Sequence, residues 1–138
     1  MTQDASMSAG RPEHDLSILL VEDSALLVER LQEMLTGIVG TRVAAVAGGE
    51  AEAVRALAAI AVDVVLVDLH LKQGTGFGVL RAISRQARRP VVIVFTNYDL
   101  ADYRRAATEL GAEYFLDKGR DMDSLPMIIQ DIRTRKGN

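Results

Sequence analysis

The chain has 138 residues, a formal net charge of −3, 49% apolar and 4% aromatic residues, and no cysteine. With a pI near 5.4, that composition excludes disulfides and thiolate zinc sites and argues against nucleic acid as a direct partner. The length fits one domain whose core is built from Val, Leu, Ile and Ala, the make-up of buried parallel strands under Ala/Leu-rich helices.

Residues 1–16 read as a flexible N-terminal tail and 17–138 as a single domain. The tail lacks the apolar block of a secretory signal, and no stretch reaches the ~20 residues of a membrane span. A cytoplasmic protein without membrane contact is therefore expected. The first strand, 17–21, is followed by Leu27, Leu31, Leu35 and Ile38, spaced along one helix face. Ser24 can cap that helix, and Gly37 or Gly40 can end it. A second strand from Arg42 to Ala47 closes at Gly48-Gly49, and an Ala-rich helix covers Glu50 to Ile60. Residues 62–67 form the third strand, interrupted only by Asp63. Gly74, Gly76 and Gly78 mark a loop, and a third helix begins with Phe77, Leu80 and Ile83. The fourth strand is 91–95, and Leu100, Tyr103, Ala107 and Leu110 stripe a fourth helix that Gly111 can end in a left-handed conformation. A short fifth strand spans 113–117, and the last helix starts near Leu125 with Pro126 in its first turn. The Arg88-Arg89 and Arg104-Arg105 pairs and the Arg133, Arg135, Lys136 group read as solvated helix faces and ends.

Strands alternating with helices, joined by short right-handed connections, predict an α/β fold. The expected form is a doubly wound five-stranded parallel sheet, order 2-1-3-4-5, with five helices. In that order the carboxyl ends of the strands share one rim. Glu22-Asp23 follow the first strand, Asp68 the third, Thr96 the fourth and Lys118 the fifth. Crowded carboxylates repel one another unless a cation intervenes, and Mg²⁺ takes oxygen ligands of this kind. Asp23 and Asp68 are the expected direct ligands, with Glu22 acting through water and the backbone carbonyl of His70 filling a further position. Asp68 is also available as a carboxylate nucleophile, with Lys118 and the Thr96 hydroxyl neutralising phosphoryl oxygens. Each residue alone has a plainer reading: an Asp after a strand is commonly a turn residue, Thr96 can be an N-cap, Lys118 a solvated edge residue, and His70 an ordinary loop residue. His14 lies in the tail, and nothing else supports zinc. The signal is the set, with each member at the same end of a different strand.

These residues resemble the receiver domain of two-component response regulators, a flavodoxin-like fold, from about Ser17 to Lys136. The matching pieces are Leu19 to Ser24, Val65 to Leu71, Gly76 eight residues after Asp68, Phe95-Thr96-Asn97, Leu110-Gly111-Ala112 and Phe115 to Lys118. The resemblance implies that Asp68 is the phosphoacceptor, loaded with Mg²⁺ from the phosphohistidine of a histidine kinase or phosphotransfer protein. It implies that Thr96 and Phe115 are the switch pair and that Lys118 contacts the phosphate. The surface of the fourth helix, fifth strand and fifth helix would then change its affinity for a downstream protein or a second copy. Beyond self-phosphotransfer and slow autodephosphorylation, no enzyme activity is implied. Taken alone, Phe115 reads as an ordinary strand residue.

Three positions depart from the family pattern. Lys72 replaces a proline, which predicts a less fixed loop. Gly119 replaces the proline that follows the lysine in a cis peptide; a cis bond before a non-proline costs ~3 kcal/mol, which predicts a trans or mobile loop. Asn97 replaces a very small residue, and with Tyr98 beside it predicts slower exchange with small phosphodonors. The chain ends soon after the fifth helix, consistent with a single-domain regulator or with the receiver of a longer transcriptional regulator. Two competing readings are a phosphorylation-independent interaction module and an Asp-nucleophile phosphatase. The second is disfavoured by the adjacent Glu22-Asp23 and by the position of Asp68 after the third strand.

Overall fold

Five strands and five α-helices alternate along residues 15–137, the part of the chain that this computed structural model describes. Strands β1 (Leu16–Val21), β2 (Thr41–Ala47), β3 (Val64–Val67), β4 (Val91–Thr96) and β5 (Tyr114–Asp117) form one sheet. Every pairing is parallel and the spatial order is β2-β1-β3-β4-β5, the expected 2-1-3-4-5 arrangement. The helices are α1 (Ala25–Thr36), α2 (Glu50–Ala59), α3 (Gly76–Ser84), α4 (Ala101–Glu109) and α5 (Leu125–Gly137). Of the segment read as a tail, residues 1–14 lie outside the described residues, and Leu16 already opens β1.

The continuous apolar runs follow from a sheet covered on both faces. Ile18, Leu20, Leu66, Ile93 and Phe95 pack with Leu31, Leu35, Ile129 and Ile132 of α1 and α5. Their strand neighbours Leu19, Val21, Val65, Val67 and Val94 pack with Ala53, Leu57, Leu80, Ile83 and Ala107 of α2, α3 and α4. Alternate side chains point to opposite faces of a strand, so each central strand serves both layers.

Local signals set the boundaries. The Ser24 hydroxyl accepts from the Leu27 amide at the start of α1, and Gly111 ends α4 at φ +102°. β3 is shorter than the apolar run 62–67, and Asp63 just before it turns its carboxylate to β1, accepting from Ser17 N at 2.9 Å and Ser17 Oγ at 3.1 Å, while its own amide donates to Ser17 O. Gly76 and Gly78, read as loop residues, lie instead in the first turn of α3, which Thr75 caps by accepting from Gly78 N. Gly76 is required by proximity: a Cβ there would stand 2.3 Å from the Asp68 carbonyl oxygen. A 3₁₀ turn at Met122–Ser124, absent from the sequence reading, precedes α5.

Candidate functional site

Strand register brings the rim residues level with one another. Val21 pairs with Val67, so Glu22 and Asp68, the next residues on each chain, leave the sheet side by side. Val67 pairs with Val94, and Thr96 with Asp117, which carries Thr96 and Lys118 to the same edge. Carboxylate oxygens of Glu22, Asp23 and Asp68 lie within 4.8 Å of one another. The Lys118 ammonium donates to Glu22 Oε1 and Asp68 Oδ2, each at 2.8 Å. Backbone amides hold the remaining oxygens: Ser24 N donates to Glu22 Oε2, and His70 N to Asp68 Oδ1 at 3.1 Å. Thr96 is fully buried, and its hydroxyl accepts from Tyr98 N at 3.3 Å. Among the described residues no hydrogen bond joins Thr96 to the carboxylates. Phe115 is half-buried and packs with the residues on the α2–α3–α4 face of the sheet.

Burial pushes the Glu22 carboxyl above its ordinary range, and the hydrogen bonds from Lys118 and Ser24 only partly offset it. For Lys118, burial is the largest single influence and acts downward, but the hydrogen bonds and charges of Asp68 and Glu22 together lift it above its ordinary value. Three carboxylates against one ammonium leave an excess of two negative charges in a largely buried pocket. Hard oxygen donors with that residual charge fit a divalent cation such as Mg²⁺. The donor set also has the composition that phosphoryl chemistry uses, a buried carboxylate beside an ammonium.

A family profile described as "Response regulator receiver domain" matches residues 18–130. The chain belongs to the response regulator receiver domain family. The receiver is 29% identical over 108 residues to the nitrate/nitrite response regulator protein NarP of Escherichia coli, covering 78% of this chain and 50% of that protein. It is 32% identical over 104 residues to protein-glutamate methylesterase/protein-glutamine glutaminase 5 of Myxococcus xanthus, covering 75% of this chain and 30% of that one. The chain thus spans half or less of these relatives' length. Among solved structures, a two-component response regulator of the LuxR family from Aurantimonas superposes with a TM-score of 0.80 at 26% identity, covering 87% of this chain and 86% of that one. Among the described residues, no helix is long and apolar enough to cross a membrane.

The loops at the receiver's departures from the family pattern are held by contacts that the sequence does not reveal. Asp23 Oδ2 accepts from the Lys72 amide, and Glu50 Oε1 accepts from Thr75 N while its own amide donates to Gln73 O. The loop expected to be less fixed at Lys72 is thereby tied to the β1–α1 loop and to α2. The Lys118–Gly119 bond is trans. The Asp117 carboxylate accepts from the amides of Gly119 and Arg120, and Asp121 accepts from Asp117 N. The His70 ring is exposed and rests on the Tyr98 ring, centroids 4.0 Å apart. Arg104 lies exposed on α4, as expected of a solvated helix face, and its guanidinium also stands 4.6 Å from the Phe115 ring centroid. Arg105 is exposed as read, in a pair with Asp102, whereas Arg133, also read as solvated, is half-buried and donates to Gly40 O at 3.2 Å. No periodicity marks these contacts, because their partners are set by loops packing across strand ends.

Proposed function

We propose that this receiver is a phosphorylation-operated signalling switch. Asp68 accepts a phosphoryl group from the phosphohistidine of a histidine kinase or phosphotransfer protein. The surface of α4, β5 and α5 passes the change to a downstream protein in the cytoplasm. The observation that carries this reading is the meeting of three carboxylates within 4.8 Å, two of them held by one lysine.

In the transfer, an Asp68 carboxylate oxygen forms the new P–O bond as the P–N bond to the donor imidazole breaks, and the leaving nitrogen keeps the bonding electrons. Lys118, already at hydrogen-bond distance from Asp68, neutralises the incoming phosphoryl oxygens. Asp23, Asp68, Glu22 and the backbone carbonyl of His70 would hold Mg²⁺, which when bound neutralises the charge that acids and phosphoryl group share. The Thr96 hydroxyl, which among the described residues is held only by the 3.3 Å bond from Tyr98 N, is free to turn to the phosphoryl group, and Phe115 follows it. Self-phosphotransfer and slow autodephosphorylation are the whole of the chemistry in this reading.

Thermal unfolding with Mg²⁺ and beryllofluoride tests it. The midpoint is expected to rise when both are present, and Asp68→Asn to abolish the rise. Mass spectrometry should find a labile phosphate on Asp68 after exposure to a phosphorylated histidine kinase. Acetyl phosphate should label slowly, because exposed Asn97 and the Tyr98–His70 ring pair stand on the loops around the acceptor. Turnover of a free phosphomonoester would point to a hydrolase instead, and silence in every assay to a phosphorylation-independent interaction module.

A further inference from the structure

Asp99 lies three residues after Thr96, and Arg120 two residues after Lys118. Their side chains meet in an ion pair of 2.9 Å, which ties the loop behind the hydroxyl to the loop behind the ammonium. The other Asp99 oxygen accepts from Arg104 at 2.8 Å. That same guanidinium lies over the face of Phe115. Arg120 also reaches Asp121 at 3.3 Å, and Asp121 is fixed to the end of β5 through Asp117 N. A continuous set of contacts therefore runs from the Lys118 loop through Asp99 and Arg104 to the Phe115 ring. The charges are mutually supportive: hydrogen bonds from Arg120 and then Arg104 hold the Asp99 carboxyl below its ordinary range.

We infer that Asp99, Arg104 and Arg120 form an ionic latch in which Arg104 is a positioning residue for Phe115, holding the α4–β5 surface in its resting arrangement. The inference rests on the switch reading above and adds a regulator of the same site. A cation over a ring face favours the ring position that keeps the contact. Exposed ion pairs are individually weak and screened by salt. Such a latch biases an equilibrium without freezing it, and movement of Thr96 and Phe115 toward a phosphoryl group has to open it.

The chain has three phenylalanines, so 4-fluorophenylalanine labelling gives three ¹⁹F resonances, and Phe115→Leu assigns the relevant one. Without ligand, the Phe115 resonance is expected to move in Asp99→Asn and Arg104→Gln, and to stay nearer its wild-type position in Arg104→Lys. With Mg²⁺ present, beryllofluoride should bind Asp99→Asn about two- to fivefold more tightly than wild type, and that ratio should shrink toward one at high salt. Arg120→Gln, which removes the tie between the loops and the contact with Asp121 but leaves the Asp99–Arg104 pair, should give a smaller change of the same sign. An unmoved resonance in both Asp99→Asn and Arg104→Gln overturns the latch, whatever the wild type does with beryllofluoride. A wild type that ignores beryllofluoride while the resonance moves as expected overturns the switch reading and leaves the positioning of Phe115 standing. Equal affinities in a responsive wild type and Asp99→Asn overturn the latch's regulatory role.

Discussion

A single ammonium, that of Lys118, serves Glu22 and Asp68, whose side chains are only 4% and 7% exposed. Removing either end of such a contact does not have the same effect. Lys118→Met leaves two buried carboxylates without a counter-charge and is expected to destabilise the metal-free protein by ~3 kcal/mol. Asp68→Asn removes one repelling charge, leaves the Lys118–Glu22 pair intact, and is expected to leave stability unchanged or raised. Urea unfolding in EDTA compares the two; equal losses would contradict the charge imbalance of the pocket. Glu22 adds a pH dependence. Its folded-state pKa lies above the ordinary 4.5 because burial favours the neutral form. The folded protein therefore binds that proton more tightly than the unfolded chain, so the stability Glu22 contributes is fully present below pH 4.5 and is lost as pH rises through its folded pKa. Metal-free wild type should show this decline, and Glu22→Gln should lack it.

Among the elements, those with strong periodicity were legible and those fixed by cross-chain contacts were not. β1 and β4 were expected almost to the residue because their apolar runs serve two packed faces. The cap at Ser24 and the left-handed Gly111 followed from local chemistry alone. The contact of the Asp63 carboxylate did not, because its partner Ser17 lies 46 residues away in sequence and no local pattern marks it. The acids and Lys118 were readable as a site because each ends a strand, and strand order converts that position into proximity. Asp99, Arg104 and Arg120 were not, since the meeting of two loops makes Asp99 and Arg120 neighbours and Arg104 reaches Asp99 from α4. The Asp63 brace is testable at this scale. Asp63→Ala leaves the Ser17 amide and hydroxyl without this acceptor and is expected to cost about 1–2 kcal/mol, with hydrogen exchange quickening first at the amino ends of β1 and β3. Loss confined to α4 or β5 would contradict it.

At the scale of the whole molecule, the sheet is the layer that both halves of the core share. Ile18 and Leu20 face α1 and α5 while Leu19 and Val21 face α2 to α4, so one strand backbone cannot be released on one side and kept on the other. The two layers should therefore unfold together. Leu20 and Leu80 are fully buried on opposite faces, and each truncation to alanine is expected to cost about 2–5 kcal/mol. Both variants should move the same single urea transition to lower concentration with an unchanged slope, followed identically by far-ultraviolet circular dichroism and by tyrosine fluorescence. The site sits on the carboxyl ends of four of these strands, so its geometry depends on the intact sheet. Cation affinity, measured by the shift of that transition with Mg²⁺, should then fall to zero across the same urea range as the fold. A second transition, or cation binding that outlasts the loss of either layer, would mean that the two faces are separable and that the acid pocket needs only part of the fold.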